Sequence, residues 1–217
     1  MNVAKQEKSL ARRLAVPMVV GAVSGFAATM LFFNLVDGEG ARSLGRSREI
    51  AGVVGVLYLL TALGVGVGLA RPGIGARFLN VEDADELREQ RRMLGYSCIS
   101  MAALSGALFV LVLVEPVGPI GGELAAAGAI GLLLLANGLG LLQARHLDEL
   151  QRAMSRDSVA SAFYLLFVVG GGWALLAHCG LVEAPAPLDW LTMFAVFLLV
   201  GCFWQVGRRG LLVRGPN

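Results

Sequence analysis

Six long apolar runs dominate this 217-residue chain, and none of its 18 basic or 16 acidic side chains falls inside them. The runs are Ala15–Val36, Ile50–Ala70, Leu94–Val114, Leu124–Gln143, Val159–His178 and Trp190–Val206. A helix needs about 20 apolar residues to cross roughly 30 Å of hydrocarbon, and each run is close to that length. A backbone in lipid has no water to satisfy its polar groups, so runs of this kind are restricted to helices. The chain is therefore expected to be an all-α polytopic membrane protein with six transmembrane helices. A hydrophobic content of 56% and a mean hydropathy of +0.70 agree with a membrane class. Most soluble catalytic architectures are excluded at this point.

The basic residues orient the chain, because short loops rich in Lys and Arg stay cytoplasmic. Lys5, Lys8, Arg12 and Arg13 precede the first run. Arg71, Arg77, Arg88, Arg91 and Arg92 fill the second loop, Arg145, Arg152 and Arg156 the fourth, and Arg208, Arg209 and Arg214 the tail. The opposite side carries only Arg42, Arg46 and Arg48, against Asp37, Glu39, Glu49, Glu115, Glu123, Glu183 and Asp189. Both termini are thus expected in the cytoplasm, as an even number of crossings requires. The formal net charge of +2 conceals this asymmetry. Arg42, Arg46 and Arg48 fit a solvated external loop, with contact to anionic lipid or a partner as the alternative.

The first run follows a basic segment, as in a signal peptide, but its apolar stretch is too long and no small-x-small cleavage site follows it. It reads as a retained helix. Sixteen arginines against two lysines, with abundant Gly and Ala, point to a GC-rich bacterial genome and hence to a bacterial inner membrane. The organisation is one transmembrane domain over 1–217, with cytoplasmic tails at 1–14 and 207–217.

Two cytoplasmic segments share a design. After the breaker Arg71-Pro72-Gly73, Asn80 can cap a helix that begins with Glu82, Asp83, Asp85 and Glu86 and continues through Arg88, Arg91 and Arg92. Acidic residues near a helix start and basic residues further along suit the helix dipole. Asp148, Glu149 and Arg152 repeat the arrangement ahead of the fifth run, and Asp85-Glu86-Leu87 matches Asp148-Glu149-Leu150. The match suggests a duplicated helical hairpin, helices two and three paralleling helices four and five, about an axis along the membrane normal. A chance match in acidic loops is the alternative.

The run Leu147-Asp148-Glu149-Leu150-Gln151-Arg152, followed by Ala160-Ser161-Ala162-Phe163, resembles a stretch in small uncharacterised proteobacterial multi-pass membrane proteins. Those carry a Leu-Asp-Glu-x-Gln-Arg motif on the cytoplasmic side, before an Ala- and Phe-rich helix. The likeness covers about a quarter of the chain. Ala153, Met154, Ser155, Arg156 and Asp157 depart from the family's continuation. The resemblance implies topology and carries no chemistry.

Within the helices, small residues four apart are expected to let backbones approach closely. Gly21 and Gly25, Gly64 and Gly68, Ala102 and Gly106, and Ala136 and Gly140 have this spacing. Gly170-Gly171-Gly172 suggests a kink or cavity in the fifth helix, or else a tight crossing with helix one or two. Polar groups inside the bilayer are few. Asn137 is the deepest and reads as an interhelical link, with a place on a solute path, beside Gly171, as the alternative. Ser97, Ser100 and Ser105 can bond their own helix. Tyr58, Tyr96, Tyr164, Trp173, Trp190 and Trp204 read as interfacial anchors.

His146 and His178 fall at opposite faces and cannot both ligate one haem. Cys98, Cys179 and Cys202 form neither a C-x-x-C pair nor a Cys/His cluster. No cofactor, metal or nucleic acid is expected, and the bilayer is the one certain partner. The leading expectation is a non-enzymatic accessory, scaffolding or regulatory subunit that packs against itself or another membrane protein. Its partner surface is expected at Asp85, Glu86, Arg88, Arg91, Arg92, Asp148, Glu149 and Arg152. A carrier or channel for a small neutral solute is second.

Overall fold

A computed structural model describes Val19 and residues 21–34, 44–71 and 88–209. It is helical throughout. Five helices are long and apolar enough to cross a membrane: α2 (Arg46–Ala70), α3 (Arg91–Val112), α4 (Gly122–Ala144), α5 (Glu149–His178) and α6 (Pro187–Arg208). A shorter apolar helix, α1 (Gly21–Asn34), precedes them. The chain is thus a helical multi-pass membrane protein. Asn80, Asp85 and Glu86 lie outside the described residues, as do both outermost tails.

The helix ends follow local chemistry. Asp148 opens α5 with a capping box: its Oδ1 accepts from the Gln151 backbone N–H at 2.6 Å, and its own N–H donates to Gln151 Oε1 at 3.4 Å. α6 begins with Pro187 at its first position, where a missing N–H does no harm, and Asp189 Oδ2 accepts from the Ala186 N–H at 2.6 Å. α5 ends in a Schellman turn. Gly180 takes φ +74°, its N–H bonds Ala177 O at 2.9 Å, and the Leu181 N–H bonds Leu176 O at 3.0 Å. The indole N–H of Trp173 then donates to Glu183 O at 2.8 Å and fastens the connection to α6.

α2 packs on α3, α3 on α4, α5 on α6, and α2 on α6. The core lies among α2, α3 and α6, where Ala51, Val54, Tyr58, Leu104, Leu108, Val112 and Ala195 are buried together. Phe32 and Phe33 of α1 cap one side of it. Lipid tails are as apolar as these side chains, so close packing and hydrogen bonds hold the bundle rather than escape from water. The expected second hairpin is not a tightly packed pair. Among the described residues α4 and α5 are not a closely packed pair; α5 instead turns its small residues, Ser158, Ala162 and Gly170, toward α6.

Hydrogen bonds tie the packed pairs, and several come from residues expected to act otherwise. The Tyr58 hydroxyl donates to Ala195 O at 2.9 Å, linking α2 to α6 in the core. Tyr58 is therefore no interfacial anchor; it lies midway along α2, where only another helix offers an acceptor. Ser105 donates to Gly55 O at 2.7 Å and Cys98 to Ala62 O at 3.1 Å, across α2–α3. Ser100 donates to Ala136 O at 3.2 Å, across α3–α4. Of the three serines of α3, only Ser97 bonds its own helix, at Met93 O.

The glycines that matter for packing are mostly not those spaced four apart. A Cβ on Gly201 would lie 2.6 Å from Ser158 O, so α5 and α6 touch backbone to backbone there. A Cβ on Gly55 would press on Phe109 at 3.1 Å, and one on Gly52 would collide with Phe32. Of the expected residues, Gly106 packs so that an added Cβ would lie 3.3 Å from Leu132, and Gly68 is buried. Gly21, Gly25, Gly64 and Gly140 face open space. At the triple glycine, α5 widens into one π turn over Leu166–Gly170 and then resumes. The crossing is tight, but with α6: a Cβ on Gly170 would meet Trp190 at 2.9 Å and Met193 at 3.3 Å. Gly171 and Gly172 meet nothing.

Candidate functional site

The alternating helices sort the charges onto two ends. One end carries Arg71, Arg88, Arg91, Arg92, Arg145, Arg152, Arg156, Arg208 and Arg209, and is termed the basic end. The other carries Glu49, Glu115, Glu123, Glu183 and Asp189, and is termed the acidic end.

At the basic end, the start of α3 and the α4–α5 turn meet. The Tyr96 ring lies 5.9 Å from that of His146, whose Nδ1 is 3.0 Å from Leu142 O. This contact brings the two expected partner segments to one face. Arg88, Arg91, Arg92, Asp148, Glu149 and Arg152 are all exposed. Asp148 is committed to the helix cap, and Arg152 Nη2 reaches Leu147 O at 3.4 Å. Beside them is a cluster that the sequence alone did not disclose. Arg209 Nη2 bonds Asp157 Oδ2 at 2.5 Å, and buried Gln205 donates to Ser161 Oγ at 3.1 Å. Ser161 in turn donates to Asp157 O at 2.7 Å. Asp157, Ser161 and Arg156 crowd a short stretch of sequence, but nothing in that spacing names α6 as the partner. The cluster fastens the last turn of α6 to α5, which carries the helix past the expected boundary at 206.

In mid-membrane, α4 and α5 are the least covered of the five long helices. The outward face of α4 exposes Ala127, Gly131, Leu134, Asn137, Gly138 and Leu141. The Asn137 amide donates to Leu133 O of its own helix at 2.8 Å and points away from the bundle. Asn137 and Gly171 are not brought together on a common path.

At the acidic end, the starts of α2 and α6 and the end of α3 surround an open cleft of about 620 Å³. Its walls are Leu44, Leu111, Val114, Pro187, Leu188 and Leu191. Arg46, Ser47 and Arg48 stand at its polar side. Arg48 Nη1 donates to Val114 O at 2.7 Å and Val112 O at 3.3 Å, satisfying carbonyls that the end of α3 leaves free. Arg46 is exposed and makes no ion pair among the described residues. The Ser47 hydroxyl oxygen is shut off from solvent and has no hydrogen-bond partner among the described residues.

His146 precedes α5 and His178 is its last residue, and its 30 residues span ~45 Å at 1.5 Å per residue, so the two share no site. Cys98, Cys179 and Cys202 are all free thiols. Among the described residues no three His, Cys, Asp or Glu side chains gather in a way that would hold a metal ion. No protein-family model, curated protein or solved structure significantly matches this chain, so the assignment rests on its own geometry.

Proposed function

We propose that the protein is a non-catalytic accessory or scaffolding subunit of a bacterial inner membrane. It crosses six times with both termini in the cytoplasm, and it associates laterally with another membrane protein or a second copy of itself. The observation that carries this reading is the outward face of α4. An Asn carboxamide has two N–H donors and one carbonyl acceptor, and Asn137 places one donor on its own helix. Its remaining capacity faces hydrocarbon, where lipid tails offer no partner, and a neighbouring helix would supply one. Exposed Ala127, Gly131 and Gly138 let that helix approach closely. The exposed arginines and acidic groups of the basic end give the same partner a second contact outside the bilayer. The solute-path alternative draws no support from Asn137, whose side chain looks outward.

A mild-detergent pull-down of the tagged full chain, with mass spectrometry and size analysis, tests the proposal. A stoichiometric membrane partner or a defined homo-oligomer is expected. Asn137→Leu should weaken it by ~0.6–2 kcal/mol, the span reported for hydrogen bonds between membrane helices. A monomer without partners, or an assembly indifferent to Asn137→Leu and to Gly131→Leu, overturns this surface.

A further inference from the structure

We propose that the cleft at the acidic end binds one anionic phospholipid, with an acyl chain between α2, α3 and α6 and its phosphate against Arg46 and Arg48. The proposal is independent of the lateral partner and would stand if that partner were never found.

Position comes first. The cleft opens where two spans begin and one ends, which is the depth of lipid headgroups rather than of tails or bulk water. Its volume lies within the roughly 300–1,000 Å³ usual for small-molecule sites. The walls are almost wholly aliphatic, and a soluble anion would make no use of them.

Charge supplies the second argument. Arg46 and Arg48 are the only arginines described at the acidic end, and both line this one cleft. Positive charge on the side opposite the basic loops runs against the usual distribution, so a pair gathered there calls for a local anion. The two differ in mobility. Arg48 is held by the carbonyls of Val112 and Val114 through one of its nitrogens, and the rest of its donors remain. Arg46 has no competing partner among the described residues and is available to close on a phosphate. Of the nearby carboxylates, Glu49 does not line the cleft, and Asp189 turns its Oδ2 to the Ala186 N–H at 2.6 Å.

A helix start adds to this. The first turn of α2, which has no side-chain cap, presents its backbone N–H groups and the positive end of the helix dipole toward this region. Ser47, in the cleft lining, has a buried hydroxyl with no hydrogen bond among the described residues, a donor that a small adjustment of the first turn would offer.

Native mass spectrometry of the detergent-purified full chain with equal amounts of phosphatidylglycerol and phosphatidylcholine tests the site. One phosphatidylglycerol is expected to be retained in preference to phosphatidylcholine. Arg46→Gln, at an exposed side chain with no ion pair among the described residues, should reduce that preference about tenfold, which corresponds to roughly 1.4 kcal/mol. Leu188→Trp, which fills the apolar part, should expel the lipid, with a cooperative thermal unfolding transition showing that the variant is folded. Equal retention of the two lipids overturns the proposal. So does a preference unchanged in Arg46→Gln, or lipid retained by Leu188→Trp. Displacement by millimolar inorganic phosphate would make the site one for a soluble anion and would overturn it equally.

Discussion

Gly201 shows how much one missing carbon can matter in a membrane bundle. Its Cα hydrogen faces the Ser158 carbonyl, and an added Cβ would stand at 2.6 Å from that oxygen, inside any real contact distance. The obstacle is backbone, so no side chain can swing aside. Gly201→Ala should therefore separate α5 from α6 and destabilise the protein by ~1–3 kcal/mol, the usual cost of overpacking. Gly140→Ala, whose Cβ would meet nothing within 4 Å, serves as the control and should be neutral or slightly stabilising. Thermal unfolding in detergent compares the two directly. The contrast also explains what the sequence could and could not disclose at this scale. Spacing four residues apart marks small residues on one side of a helix, but not whether another helix lies on that side. Gly140 has the spacing and faces open space; Gly201 lacks a paired glycine and is buried against α5. Ser100 and Ser105 teach the same lesson for polar groups. Their capacity to donate is plain from their identity, while the acceptors, Ala136 and Gly55, lie 36 and 50 residues away in sequence.

At the scale of the element, α5 is the most informative. Its 30 residues exceed what the hydrocarbon needs, and the surplus is the polar first part, Glu149 to about Asp157, at the basic end. Its first turn is held by a capping box, and Asp157 at its far end is tied to Arg209 of α6. Asp148→Ala should cost ~1 kcal/mol of local helix stability. Amide hydrogen exchange should then quicken over residues 149–153 and remain unchanged beyond 160; an unaltered first turn would show that the cap does not hold it. The element was well legible. The six apolar runs anticipated all five long helices to within a few residues at most ends, because the bilayer imposes one length and one periodicity. The π turn at Leu166–Gly170 was not legible. Three glycines signal a weakness, and the form it takes depends on Trp190 and Met193 pressing on Gly170 from another helix.

At the scale of the whole molecule, the described helices form a layered bundle in which α2 and α6 join the α2–α3–α4 group to the α5–α6 pair. The end-to-end sorting of charge was readable from loop composition alone. The pairing of helices was not, since the apparent repeat around Asp85 and Asp148 records how two helices start and not which helices they pack on. The proposed orientation has a simple check in a native side chain. Cys179 is exposed, beyond the last turn of α5 at the acidic end, whereas Cys98 and Cys202 sit within spans. A membrane-impermeant maleimide applied to intact cells with the outer membrane permeabilised should label Cys179. Labelling only after the inner membrane is opened would invert the topology.

The bond between Tyr58 and Ala195 has a consequence in time. Donor and acceptor are separated by 137 residues, and a ribosome adding about 5–20 residues per second needs roughly 7–27 s to cover that interval. Throughout it, the phenol of the nascent α2 waits in the bilayer for a strand of chain not yet made. A chain cut short before α6 would lack the Ala195 carbonyl and so the bond that joins α2 to α6 in the core.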